Sequence, residues 1–422
     1  MRVLIVAPNI SIRMGGEAVL PYHYIRELKA LGVDVHALTH ARVRDEIQSG
    51  DISDCATFHF VEDTVVERML NSIGKLMPSA LRDSAINSAI GAVTLARLGR
   101  RARKLEREIK FDVIHQPTPV SPLFPSFLNN MQTPLVIGPM NGAMSYPPAF
   151  EKHYAEGSGG AVAVARAVSG MANRLAPGKR QAARILVANE RTQRGLPNGI
   201  DPSKVSYLIE NGVDLQLWSP TPQAKPDRPV FVFVGRLVRL KALDLLFEAL
   251  VEVEPPARLV VIGDGPDRTK LEQLGQSLAG DRIEFLGFRP QSEIRDILAA
   301  STALVLPSMR ECGGAVVLEA FACATPAIAT DWGGPQDYIT PQTGYLIAPD
   351  ARASFVRGLR DAMNELARDP VRTQAMGAAA RAHIEEKFSW QAKTAQMLEI
   401  YNAVISQRGD IGPSLTSYNA AC

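Results

Sequence analysis

The chain has 422 residues, 46% of them hydrophobic and 21% charged, which is enough apolar material for two globular domains. Its net charge of +2 and the lack of a recognisable binding motif exclude nucleic acid as an expected partner. The four cysteines (Cys55, Cys312, Cys323 and Cys422) show neither CxxC pairing nor histidines at metal spacing, no apolar run approaches the ~20 residues that span a bilayer, and the opening MRVLIVAPNI runs into Pro8 and Asn9 rather than a signal-peptide core; the expectation is a reduced, cytoplasmic chain without structural zinc.

Along the first half, strand and helix patterns alternate. Val3–Ala7 reads as a buried strand closed by proline, Gly15-Gly16-Glu17 as a glycine turn, and Glu17–Leu31 as a helix with Val19, Leu20, Tyr24, Leu28 and Leu31 on one face. Gly32 stops that helix and Val33–Leu38 reads as the next strand. Thr64–Lys110 is long, helical in its apolar spacing, and ends in Arg97, Arg100, Arg101, Arg103, Lys104, Arg107 and Lys110. That basic run is either a solvated helix face or a docking surface for an anionic membrane. Further strands are expected at Phe58–Val61, Val113–His115, Leu135–Ile137, Ile185–Ala188 and Val205–Ile209.

A polar stretch from Asn211 to Pro229, with prolines at 220, 222, 226 and 229, reads as a linker. The rhythm then restarts with strands at Val230–Val234, Leu259–Ile262, Ile283–Gly287, Ala303–Leu306 and Ala327–Ala329. The fold class is α/β. The expected domains are 1–210, a linker at 211–229, 230–388, a closing helix at 389–408 and a flexible tail at 409–422. Two parallel sheets facing each other across a cleft would bind ligands outside the carboxyl ends of their strands.

Two features of the second half carry chemistry. Gly235-Arg236-Leu237 follows a strong strand, and Lys241 stands where a helix begins; two fixed cations there suit a diphosphate. Taken alone they read more readily as solvated residues flanking a helix. Sharper is Glu311-Cys312-Gly313-Gly314-Ala315 leading to Glu319: the glycines open a helix start whose N–H groups attract phosphate. Glu319 lies one turn beyond Ala315 inside an apolar run, where an unpaired acid is costly, so a sugar-hydroxyl acceptor fits better than an ordinary helix acid. The first turn carries no GxGxxG, which counts against a dinucleotide-binding dehydrogenase.

The Glu311/Glu319 pair resembles the signature of the retaining glycosyltransferases of family 4 (glycosyl transferases group 1), which have the GT-B fold of two Rossmann-like domains. So do Gly15-Gly16-Glu17, Glu27–Val35, Asn211-Gly212-Val213-Asp214 with Trp218 and Pro220, Gly263–Pro266, Phe285-Leu286-Gly287 and Phe388-Ser389-Trp390 onward to Tyr401. The resemblance implies that Arg236 and Lys241 bind the donor diphosphate, Glu319 the ribose, and Glu311 the donor sugar. Gly313, Gly314 and Ala315 would add the helix start, Leu286 would line the base, and Gly15 and Gly16 would approach the diphosphate. The closing helix would pack back on the first domain. Where the family carries a histidine after its fifth strand, this chain reads Ile137-Gly138-Pro139-Met140-Asn141-Gly142. Asn141 and His115 are the two candidates for the missing sugar-facing contact, although a lone histidine at a strand end reads equally as a packed, satisfied residue.

The expected chemistry is retaining transfer from a nucleotide sugar to a glycan or lipid-linked acceptor in cell-surface polysaccharide or glycolipid synthesis. No Asp-x-Asp occurs, so neither metal nor other cofactor is expected. The alternatives are an inverting GT-B enzyme and an inactive nucleotide-sugar- or glycan-binding protein.

Overall fold

The structure, a computed structural model, describes residues 1–75, 87–154, 169–219 and 226–409. Pro220 and Pro222 of the linker, the 76–86 part of the long helical stretch, and the tail beyond residue 409 lie outside the described residues.

The chain divides into two compact units. The first is Met1–Ala143, Val164–Glu210 and Thr394–Cys422; the second is Met144–Ala163 and Asn211–Lys393. Two segments depart from a simple split at the linker. Met144–Ala163 belongs to the second unit, and the last helix, Trp390–Gly409, passes into the first unit at Thr394.

The first unit is built on a parallel seven-stranded sheet in the order β3-β2-β1-β4-β5-β6-β7. Its strands are β1 (Arg2–Val6), β2 (Asp34–His40), β3 (Thr57–Val61), β4 (Val113–Gln116), β5 (Leu135–Met140), β6 (Arg184–Val187) and β7 (Val205–Tyr207). The central strands are apolar on both faces, as a sheet covered on both sides requires; Val3, Leu4 and Ile5 are all fully buried. The helix Asn87–Glu108 lays Leu95, Leu98, Ala102 and Leu105 onto the sheet among Leu4, Leu38 and Ile114. That 3.6-residue spacing turns its charged positions outward.

The second unit carries a parallel six-stranded sheet in the order β10-β9-β8-β11-β12-β13. Its strands are β8 (Val230–Val234), β9 (Arg258–Ile262), β10 (Ile283–Gly287), β11 (Ala303–Leu306), β12 (Ala327–Thr330) and β13 (Gly344–Ile347). In both sheets the strand order reverses beside the first strand, between β1 and β4 and between β8 and β11. The loops that leave neighbouring strands at such a point turn to opposite faces and open a crevice at the carboxyl ends.

Candidate functional site

At the β8/β11 reversal, the loop after β8 is held by its neighbour after β9. The Gly235 N–H donates to the Ile262 carbonyl at 2.9 Å. Gly263 has φ 129°, and a Cβ on it would stand 2.0 Å from the Gly235 carbonyl oxygen. Only glycine allows this approach. Arg236 then projects into solvent, with no ion pair among the described residues. A 3₁₀ turn, Arg239–Lys241, ends in Ala242 at φ 52°. It brings the Lys241 ammonium against the Glu311 carboxylate, each side chain 15% exposed.

Glu311 lies in the loop after β11. Its carbonyl accepts the Gly334 N–H at 2.9 Å. Gly333 and Gly334 are seated so closely that a Cβ on either would lie 2.3 Å from the carbonyl oxygen of Glu311 or Cys312, respectively. The pair Gly333-Gly334 therefore shapes the Glu311 loop, a role not expected from the sequence. A glycine pair directly after β12 was the available signal.

Gly314, at φ 69°, caps the helix Ala315–Ala322 without any side-chain hydrogen bond. The Val317 N–H of its first turn already donates to the Gly314 carbonyl at 2.9 Å, which leaves those of Ala315 and Val316 to face a ligand. The Glu319 side-chain carboxyl, one turn on, has no hydrogen-bond or ion-pair partner among the described residues, and burial pushes it up to about 7. Leu286 is half-buried at the end of β10, beside Gly287 at φ 71°. Arg236, Lys241, Glu311, Gly313, Gly314, Ala315 and Glu319 thus share the loops and helix start of one strand-order reversal.

In the first unit, Gly15 (φ 64°) and Gly16 (φ 57°) lie in the loop after β1, and a Cβ on either would meet nothing within 4 Å. Their need for glycine is conformational rather than steric. Glu17 ties this loop to the one after β4 by accepting the Val120 N–H at 2.8 Å.

The two residues expected to face the sugar are otherwise engaged. His115 is fully buried on β4, between the rings of Tyr24 and Tyr401. One ring nitrogen, Nε2, lies 2.6 Å from the Gly138 carbonyl, so it donates; Nδ1 then accepts the Tyr401 hydroxyl at 2.6 Å. Burial holds this imidazole neutral, down to about 4. Both ring nitrogens of His115 are thus occupied within the first unit. Asn141 is 2% exposed; its amide donates to Glu210 at 2.8 Å, and its oxygen accepts from Arg191 and Thr192 at 3.2 and 3.3 Å. That network fixes the loop after β5 rather than presenting an amide to a sugar.

The basic run is also partly spent. Arg97 binds Glu67 at 3.0 Å, Arg103 donates to the Phe127 and Asn129 carbonyls, and Arg101 and Lys104 approach Glu108. Arg100, Arg107 and Lys110 remain exposed without an ion pair among the described residues. His40, Asp63 and Glu67 place three donor atoms within 4.8 Å of one another. However, the Arg42 N–H donates to His40 Nδ1 at 3.1 Å, which leaves the proton on Nε2, 3.2 Å from Asp63. Glu67 already accepts from Thr64, Thr94 and Arg97. With Glu67 saturated and a proton rather than a lone pair on His40 Nε2, the group does not offer the free donor set of a metal cage. None of the described helices is long and apolar enough to cross a membrane.

Residues 216–383, which contain the whole β8/β11 site, match the family described as glycosyl transferases group 1. The matched stretch lies within the second unit, Asn211–Lys393. The chain is 36% identical over 227 residues to alpha-maltose-1-phosphate synthase of Mycolicibacterium smegmatis, covering 49% of this chain and 58% of that protein. It is 29% identical over 255 residues to the GDP-mannose-dependent monoacylated alpha-(1-6)-phosphatidylinositol monomannoside mannosyltransferase of Corynebacterium glutamicum, covering 54% and 66%. The chain thus spans about three-fifths of the length of the curated relatives it matches. Among solved structures, sucrose-phosphate synthase of Thermosynechococcus elongatus superposes with a TM-score of 0.68 at 19% identity, covering 96% of this chain and all of that one. HepE of Anabaena, solved with UDP, gives 0.63 at 16% identity, covering 96% and 100%. These likenesses place the chain in the GT-B fold.

Proposed function

We propose that the chain is a retaining, metal-independent group 1 glycosyltransferase whose nucleotide-sugar donor sits at the β8/β11 reversal. The observation that carries the reading is the meeting of Lys241 and Glu311 beside the uncapped helix start at Gly314. Breaking a sugar–diphosphate bond puts negative charge on the leaving phosphate and positive charge on the sugar ring. Arg236, Lys241 and the helix N–H groups are aimed where the first charge develops. With no Asp-x-Asp in the chain, these groups take the part a divalent ion would play. Glu319 accepts ribose hydroxyls. Glu311, one oxygen turned to Lys241, orients the sugar while the acceptor attacks on the face the phosphate leaves and the phosphate takes its proton. Leu286 lines the base, and Gly15 and Gly16 approach the diphosphate.

The acceptor is a glycan or a lipid-linked glycan, in keeping with the phosphatidylinositol mannoside named for the Corynebacterium relative. The exposed cations Arg100, Arg107 and Lys110 would hold such a chain at an anionic cytoplasmic membrane face. Because Asn141 and His115 are engaged internally, a nucleotide-sugar-binding protein without turnover is the second reading.

A melting-temperature screen of UDP-, GDP- and ADP-sugars with and without EDTA tests the proposal. One family should raise the melting point equally in both conditions, and slow donor hydrolysis should disappear in Glu311→Ala. Stabilisation without any hydrolysis or transfer supports the binding protein. Liposome flotation with and without anionic lipid tests the membrane contact.

A further inference from the structure

The segment after β5 does something no motif announced. Residues 144–154 are part of the second unit, where they lie along the three loops that meet at Glu311. Tyr146 and Tyr154 are stacked, with ring centroids 6.4 Å apart and planes 17° from parallel. The Arg310 guanidinium stands 5.5 Å above the Tyr146 ring, and that of Arg239 stands 5.8 Å above the Tyr154 ring. Arg310 adjoins Glu311, and Arg239 opens the turn that ends in Lys241. The third loop is gripped as well. The Trp332 indole N–H donates to the Ser145 carbonyl at 2.9 Å, and Met144 packs so closely on Gly333 that a Cβ there would stand 2.7 Å from its terminal methyl. Phe150, 4% exposed, anchors the segment edge-on against fully buried Phe355 at 5.9 Å.

We propose that residues 144–154 are a strap that sets the donor site, with Tyr146 and Tyr154 as positioning residues: their rings fix Arg310 and Arg239, and through them the spacing of Glu311 and Lys241. This rests on the donor-site reading above. Each cation–π contact is electrostatic, so a phenylalanine ring preserves it and an aliphatic side chain of similar bulk does not. The strap also holds two guanidiniums on ring faces beside the site, leaving Arg236 and Lys241 as the cations for phosphate.

The test uses the full chain in two measurements. The first is UDP and GDP affinity by calorimetry for wild type, Tyr146→Phe, Tyr146→Leu and Tyr146→Leu/Tyr154→Leu. The binding nucleotide should weaken about 3- to 10-fold in Tyr146→Leu and further in the double variant, while Tyr146→Phe stays within about 2-fold of wild type. The second is amide hydrogen exchange of the nucleotide-free proteins. Exchange at Arg310–Gly314 and Arg239–Ala242 should rise in the leucine variants and stay at wild-type rates in Tyr146→Phe and at β1 and β4. Wild type that binds no nucleotide but shows this exchange pattern overturns the donor-site reading and leaves the strap standing. Unchanged exchange in the double leucine variant overturns the strap, as does equal loss in the phenylalanine and leucine variants.

Discussion

Lys241 and Glu311, seventy residues apart in sequence, meet as a half-buried ion pair between the loops after β8 and β11. The pair joins the two sides of the strand-order reversal, so each partner has a distinct task. Lys241→Ala should weaken nucleoside-diphosphate binding about 10- to 100-fold, the value of one charge-assisted hydrogen bond. Glu311→Gln keeps the shape and releases Lys241 towards phosphate. Its nucleotide affinity should therefore hold or tighten, while turnover falls on the order of 100-fold through a misplaced sugar. Calorimetry beside steady-state kinetics separates the two; equal effects in both variants would contradict the division of roles.

Glu319 makes binding depend on pH. Burial raises its carboxyl to about 7, and a ribose hydroxyl donates best to the ionised form. Nucleotide affinity should rise with pH through about 7, with proton release on binding, and Glu319→Gln should flatten the profile. Stability runs the other way. An acid whose folded pKa exceeds its ordinary 4.5 contributes fully below that value, and the contribution is lost as pH rises through 7. Glu319→Gln should stabilise the protein by on the order of 2 kcal/mol at pH 8 and by little at pH 4 in denaturant melts.

His115 should matter for stability and not for chemistry. Its folded-state value of about 4 lies below the ordinary 6.5, so the neutral form's contribution is present above 6.5 and is lost as pH falls through 4. The shift corresponds to about 3 kcal/mol. His115→Phe should lower the melting temperature by cutting the bonds to Gly138 and Tyr401, yet turnover of the folded fraction should stay within about 2-fold of wild type. A selective loss of turnover at unchanged melting temperature would restore His115 to the reaction.

The glycines fall into two classes that alanine separates. Gly15 has room for a side chain, and Gly15→Ala should cost only the backbone strain of φ 64°, ψ −168°, a region essentially confined to glycine, about 1–3 kcal/mol. Gly333 combines φ 82° with a carbonyl 2.3 Å from the added carbon, so Gly333→Ala must displace the Glu311 loop and should abolish nucleotide binding even where the protein still folds. Chemical denaturation paired with calorimetry reads both.

Much of this architecture was legible in the sequence because parallel strands buried on both faces read as short apolar runs. Val230–Val234 and Ala303–Leu306 coincide with the strands observed, as does the less buried edge strand Ile283–Gly287. The glycine-opened start of Ala315–Ala322 could be placed for the same local reason. The edge strand Gly344–Ile347 was missed: its last three residues are only half-buried, so its pattern is weak, and Gly344 sits where a Cβ would be 2.0 Å from the Ala327 carbonyl. The internal engagement of His115 and Asn141 was not legible because their partners lie far along the chain, at Tyr401 and Glu210. The strap was invisible for a related reason. Tyr146 and Tyr154 acquire meaning only beside Arg310 and Arg239, and nothing local encodes that pairing.

The claim on which the rest depends is that Arg236, Lys241 and the helix start at Gly314 hold a diphosphate without a divalent ion. Calorimetric titration of the stabilising nucleoside diphosphate in EDTA, against wild type and Arg236→Ala/Lys241→Ala, addresses it directly. Wild type should bind fully under chelation, and the double variant should bind at least about 100-fold more weakly, two charge-assisted contacts having been removed. Binding that vanishes in EDTA and returns with magnesium, or a double variant that binds like wild type, would contradict it.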